Sequence, residues 1–149
     1  MTRSIYIACL FAIPLLMLSN DAAALCVTSS EANLRSGPGT RYKKTWRVYQ
    51  FMPLQRIGRK GSWYQVKDVD GDRHWVHKSL VSATTHCAVV KAKSANVRTG
   101  PGTHHAQTTW SPVGSYYSVK IIGDTGRWLK VRDEVGNSGW VAKSLVWRQ

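Results

Sequence analysis

The sequence predicts an all-β chain built as two tandem, closely packed small antiparallel barrels. Three observations predict it. The phrase "ANLRSGPGT" (32–40) returns as "ANVRTGPGT" (95–103) with seven of nine positions identical. Short stretches that alternate apolar and polar residues each run into a turn, and no segment shows a convincing helical period. The repeat also persists beyond the phrase. Asn33 maps to Asn96 at an offset of 63, Trp46 to Trp110 at 64, and Trp63, Gly71, Trp75 and Leu80 to Trp128, Gly136, Trp140 and Leu145 at 65. Two single-residue insertions account for the drift, as expected of a true internal repeat.

Taken in chain order, residues 1–24 read as a signal peptide. Arg3 is the basic start, Ile5 to Leu18 an apolar run broken by Pro14, and Ala22-Ala23-Ala24 the small-residue exit. The first barrel is predicted over 25–82, a short linker over 83–86 and the second barrel over 87–149. Each barrel opens on the repeated phrase. Asn33 is placed to bond nearby backbone, Leu34 or Val97 to enter the core, and Arg35 or Arg98 to lie over an aromatic or pair with a carboxylate. The Gly-Pro-Gly-Thr that follows turns the chain, because glycine permits unusual φ and proline restricts it. "SWYQVKDV" and "RWLKVRDEV" read as strands. Asp70-Gly71 and Gly136-Asn137 read as two-residue hairpin turns, and Arg73–Val76 and Ser138–Val141 as return strands. "HKSL" and "AKSL" suggest one 3₁₀ turn ending in a buried leucine. Small barrels bury little core, so the seven tryptophans are expected to supply apolar area, with Trp63, Trp75, Trp128 and Trp140 in the barrels or between them.

Charge and cysteine count narrow the setting. The chain has 21 Lys+Arg against 8 Asp+Glu, a net charge of +13. Arg3 and Asp21 are the only charged residues before Leu25, so the excess belongs to the exported part and favours a polyanionic partner. Export makes nucleic acid an unsuitable partner and places the protein in the periplasm or at the cell surface, with no membrane span in the mature protein. Cys9 leaves with the signal peptide. Cys26 and Cys87 each precede one copy of the phrase, and in an oxidising compartment they are expected to form a disulfide joining the two units.

The order "ANLRSGPGT", a loop, then "GSWYQVKDVDGDRHWVHKSLV" resembles the bacterial SH3 (SH3b, SH3-like) domain, and the second copy resembles it equally. The resemblance rests on N-[LV]-R-[ST]-G-P-G-T, G-x-W-[YL]-x-V and W-V-x-K-S-L, and covers the whole chain after the signal. It implies an SH3-like barrel of five to seven strands, usually extracytoplasmic, that serves as a targeting module for cell-wall peptides or glycans. Many members are attached to peptidoglycan hydrolases.

Within this frame the sequence predicts that the chain is not an enzyme. Its five histidines, His74, His77, His86, His104 and His105, have no nucleophilic cysteine to pair with once Cys26 and Cys87 are joined. The acidic residues fall mainly in turns. No metal or cofactor is expected, since His74 and His77 point to opposite faces of a strand and His104-His105 are adjacent in a loop. The ligand-binding candidates are instead basic residues interleaved with aromatics: Arg41, Tyr42, Lys43, Lys44, Trp46 and Arg47 in the first copy, and His104, His105 and Trp110 in the second. The cations would meet carboxylates or phosphates, while the rings would stack against a sugar or peptide. Because "HHAQTTW" has lost every fixed charge, salt-sensitive anion binding is expected of the first copy. The expected function is a non-catalytic envelope-binding module for peptidoglycan or another anionic wall polymer or peptide. The alternative is a structural subunit that docks an envelope protein through its groove.

Overall fold

The computed structural model describes residues 23–149, so most of the predicted signal peptide lies outside the described residues. Among the described residues, all regular elements but two 3₁₀ turns are strands. In the first repeat these are β1 (Ala23–Val27), β2 (Glu31–Arg35), β3 (Lys44–Tyr49), β4 (Pro53–Lys60), β5 (Trp63–Lys67), β6 (Arg73–His77), the 3₁₀ turn Lys78–Leu80 and β7 (Val81–Ser82). The second repeat contributes β8 (Cys87–Val90), β9 (Ser94–Ala95), β10 (Val113–Gly114), β11 (Ser118–Thr125), β12 (Trp128–Arg132), β13 (Ser138–Ala142), the 3₁₀ turn Lys143–Leu145 and β14 (Val146–Arg148). No helix among the described residues is long and apolar enough to cross a membrane.

The strands form an antiparallel sheet ordered β3-β2-β6-β5-β4-β1-β7, a second ordered β13-β12-β11-β8-β14, and a short β10-β9 pair. The class is the all-β one predicted, but the ladders stay open rather than closing into barrels. The second copy is also less regular where β3 would recur. There Ser111-Pro112 interrupts the stretch, and proline has no N–H to give to a ladder. Arg98 accordingly makes only isolated bridges, to Gln107 and Trp140.

Two turns differ from expectation. The hairpins that were expected to close at Asp70-Gly71 and Gly136-Asn137 close over five residues, 68–72 and 133–137, because an aspartate organises each loop from within. Asp68 Oδ1 accepts from the backbone N–H of Asp70 and Asp72, both at 2.9 Å. The tight two-residue connection lies instead at Gly61-Ser62 and Gly126-Arg127, where Gly61 and Gly126 have φ of 58° and 56°.

The cores are aliphatic rather than aromatic. One is built from Leu25, Val27, Leu34, Val48, Leu54, Val66 and Val76 and their neighbours, the other from Val90, Val97, Val119, Leu129, Val131 and Val141 and theirs. No tryptophan is fully buried; Trp46 and Trp147 cover the first core and Trp110 the second. Leu80 and Leu145 are likewise only partly buried. Tryptophan is too large to sit wholly inside so thin a sandwich, and its indole N–H favours contact with water.

The repeats pack closely. All four residues of β8 are buried, and its alternation sends Ala88 and Val90 to the second core but Val89 to the first. Cys26 of β1 and Cys87 of β8 form the expected disulfide, with Cα atoms 5.8 Å apart. The side chain of Ser118 donates to the carbonyl of Gln50 at 2.7 Å across the same seam.

Candidate functional site

The duplicated phrase builds a turn before it builds a site. Tyr42 lies over Gly37 so closely that a Cβ there would collide with its ring, and Gly100 stands likewise under His105, whose ring atoms would be 2.6 Å from such a Cβ. Contrary to the expectation that it would cover an aromatic or meet a carboxylate, the phrase's arginine bonds to loop carbonyls. Arg35 donates to the carbonyls of Thr40 and Tyr42 at 3.0 and 2.8 Å, and Arg98 to that of His105 at 2.9 Å. A guanidinium can satisfy several loop carbonyls at once, which no other side chain does as rigidly. Asn33, expected to bond nearby backbone, has its buried Oδ1 without a partner.

Beyond this turn the predicted basic stretch divides. The Arg41 guanidinium sits 5.0 Å over the Tyr42 ring and donates to its hydroxyl at 3.2 Å. That hydrogen bond, with the positive charge behind it, lowers the Tyr42 phenol. Lys43 and Lys44 are exposed. Trp46 and Arg47 are among the residues that line a groove of 460 Å³ at the seam between the repeats.

The lining of that groove comes from the first repeat, save for Tyr116 from the second. Strand β3 supplies Trp46, Arg47 and Tyr49, and the loop after β5 supplies Asp70 and Asp72. Tyr116, ahead of β11, crosses over from the second copy. Its ring meets Trp46 edge-on with centroids 5.6 Å apart, and its hydroxyl donates to Asp70 Oδ2 at 2.9 Å. That bond to a carboxylate raises the Tyr116 phenol. Tyr116 adopts φ 67°, and its counterpart Phe51 adopts φ 70°. Bulky residues rarely occupy this region, so the repeated turn forces both into it and aims Tyr116 across the seam.

The floor is rigid. His74, 7% exposed, bridges Thr45 Oγ1 at 2.7 Å and Asp68 Oδ2 at 2.8 Å. Asp70 and Asp72 are exposed, while Arg47 lies 3.9 Å from Glu31 with both side chains about half exposed. A basic protein thus presents carboxylates at one part of this groove and a guanidinium at another, between aromatic walls.

Of the nine predicted ligand residues, then, the structure brings only Trp46 and Arg47 to this groove. Trp110 packs on the second core beside Tyr117. His104 and His105 stack on each other, 4.1 Å between ring centres, and His104 lines a separate groove in the second repeat. Sequence reasoning missed Tyr49, Asp70, Asp72 and Tyr116. Asp70 and Asp72 were legible only as turn formers, and nothing local distinguishes Tyr116 from its neighbour Tyr117.

Comparison with known proteins agrees with the duplicated architecture. A family described as "Bacterial SH3 domain" matches residues 28–83, and a second family of the same description matches 93–146. The chain belongs to the bacterial SH3 domain family. These bacterial SH3 domains are similar to a curated protein of Bacillus subtilis (strain 168), "Putative N-acetylmuramoyl-L-alanine amidase YrvJ", at 28% identity over 130 residues, covering 80% of this chain and 24% of that protein. The chain therefore spans about a quarter of that relative's length. Among solved structures, NlpC1 from Trichomonas vaginalis matches with 12% identity and a TM-score of 0.38, covering 86% of this chain and 46% of that one. An NlpC/P60 family protein from Bacillus cereus ATCC 10987 matches with 11% identity and a TM-score of 0.41, over 85% and 56%. At these scores the superpositions establish no common overall arrangement.

The amidase match corrects the expectation that the chain is not an enzyme, since the curated relative bears an enzyme's name. Counting nucleophiles and bases in one chain tests only the chemistry those residues could perform together. It is blind to a likeness with part of a longer protein that bears an enzyme's name.

Proposed function

We propose that this pair of bacterial SH3 domains binds peptidoglycan in the periplasm or at the cell surface, and that the groove between the repeats receives the wall's stem peptide. The observation that carries this reading is the groove itself, with Trp46, Tyr49 and Tyr116 as aromatic walls and Asp70, Asp72 and Arg47 as charges of both signs. A short peptide with amines and carboxylates matches that chemistry, and aromatic walls cover its aliphatic parts at little entropic cost. The match to a protein named as an amidase of N-acetylmuramoyl-L-alanine supports the wall as the polymer. The exposed Arg41, Lys43 and Lys44 add attraction to an anionic surface, which salt screens over a Debye length of about 8 Å at physiological ionic strength.

Retention of the protein on purified peptidoglycan sacculi at low and high salt tests this. The intact protein should stay bound at high salt. Trp46→Ala should lose about ten-fold in affinity, the upper end of the roughly 0.5–1.5 kcal/mol that one aromatic contact contributes. Neutralising Arg41, Lys43 and Lys44 together should lower retention at low salt only. Retention that modest salt abolishes, or that Trp46→Ala leaves unchanged, would reject the groove and favour docking to an envelope protein.

A further inference from the structure

Each repeat carries a second groove, and the two copies of it differ. Both are lined by the threonine that ends the Gly-Pro-Gly-Thr turn, the tryptophan that opens the strand after the tight turn, its cross-strand partner and a serine of the 3₁₀ turn; the first extends towards Glu31 and Asn33, the second towards Gly126, Arg127 and Lys143. The first measures 330 Å³ and the second 660 Å³. The residue opposite the shared tryptophan is one difference between them. Trp63 stands opposite His77, and Trp128 opposite Ala142. The His77 ring meets Trp63 edge-on, centroids 5.2 Å apart, and is held there by Ser79 Oγ at 2.7 Å. Ala142 has only a methyl group to offer in that place, and Trp128 lines the groove with it.

The larger groove is also cationic, although the neighbouring "HHAQTTW" has no fixed charge. Arg127, where the first repeat has Ser62, and Lys143 both line it, with His104, Thr103 and Ser144 at its edge. Lys143 is anchored by an ion pair to Asp124, which also takes Arg148 at 3.3 Å. Arg127 has no ion-pair partner among the described residues. An indole with no histidine opposite it, beside an anchored ammonium, a guanidinium without an ion-pair partner and two hydroxyls, suits a pyranose ring that bears an anionic substituent: the ring lies on Trp128 and the anion meets Arg127 and Lys143.

We infer that the second repeat holds a sugar-binding site, separate from the groove between the repeats and selective for a hexopyranose bearing a carboxylate or phosphate. It does not rest on the stem-peptide reading and involves none of the same residues.

The test is titration of the full chain with methyl β-D-glucuronide, methyl β-D-glucoside and glucose 6-phosphate, followed by the tryptophan indole N–H signals. At least one anionic sugar should saturate and shift the Trp128 signal, with the neutral glucoside about ten-fold weaker or worse, the scale of one lost charge-assisted hydrogen bond. Whichever anionic sugar binds more tightly identifies the anionic group. Ala142→His, which sets opposite Trp128 the ring that the first repeat already tolerates opposite Trp63, should abolish the shift. Arg127→Gln, at an exposed turn position, should weaken the anionic sugars to the level of the glucoside. The inference is overturned if no sugar saturates, if the glucoside binds equally well, or if Ala142→His and Arg127→Gln both leave the titration unchanged. Tighter binding of adenosine 5′-monophosphate than of either anionic sugar would also overturn it, by assigning the indole face to a base.

Discussion

Asp68 and Asp133 show how a single side chain can hold a loop that composition alone describes as a turn. Asp133, 3% exposed, accepts from the N–H groups of Val135 and Asn137 at 3.1 and 2.8 Å, from the Asn137 side chain at 2.9 Å and from the Tyr117 hydroxyl at 2.8 Å. Burial by itself pushes its carboxyl up. The donors from Asn137, Tyr117 and the backbone outweigh that and hold it below the usual carboxylate range. Burial, then the bond to this carboxylate, lifts the Tyr117 phenol far above its ordinary value. A depressed carboxyl contributes stability that is present above its unfolded pKa of about 4 and is lost as pH falls through the folded value. Asp133→Ala should therefore cost about 2–3 kcal/mol at pH 7 by leaving buried donors unpaired, with the gap to the parent narrowing in acid as the parent's own carboxyl protonates. Urea unfolding at neutral and at acid pH checks this. The first repeat meets the same need differently, with His74 on Asp68. Gly139 takes that place in the second copy, where a Cβ would stand 2.6 Å from Val97. The aspartates were readable in the sequence as turn residues; their burial was not, because it depends on what packs over the loop.

At the scale of the element, β8 decides how the repeats join. Its sequence, Cys-Ala-Val-Val, is wholly apolar and so gives no hint of a solvent face. The period of two then delivers alternate residues to two different cores. Val89→Ala should destabilise the protein by about 2 kcal/mol, from two lost methyl groups and a small residual cavity. The loss should appear in denaturant unfolding followed by the fluorescence of Trp46 or Trp147, both of which pack on the first core. The strands after Gly61 and Gly126 were legible from alternation and β-branched content, and the return strands end only one residue beyond expectation. The shortened β9 and β10 were not foreseen, although Pro112 was visible, because the repeat itself argued for equal copies.

For the molecule as a whole, the disulfide and the charge belong to the same assembly. Cys26 and Cys87 are 61 residues apart, and closing a loop of that length stabilises the fold by about 4 kcal/mol in the chain-entropy model. The Cys26→Ser/Cys87→Ser double variant should lose stability on that scale. It should also weaken any ligand of the groove between the repeats, since Tyr116 reaches that groove only while the copies are held together. Guanidinium unfolding and the sacculus retention assay read the two effects separately.

The sequence by itself determined the all-β class, the duplication and its offsets, the pairing of Cys26 with Cys87 and the family, because each is written as local period, spacing or count. Only the tertiary structure decided that the tryptophans stand at the margins of aliphatic cores. The same holds for Asp70, Asp72 and Tyr116 sharing a groove with Trp46, and for Ala142 standing opposite Trp128 where His77 stands opposite Trp63. Those relations join residues from different strands or from different repeats. Alternation along a strand tells which side chains share a face, but not which distant surface that face will meet.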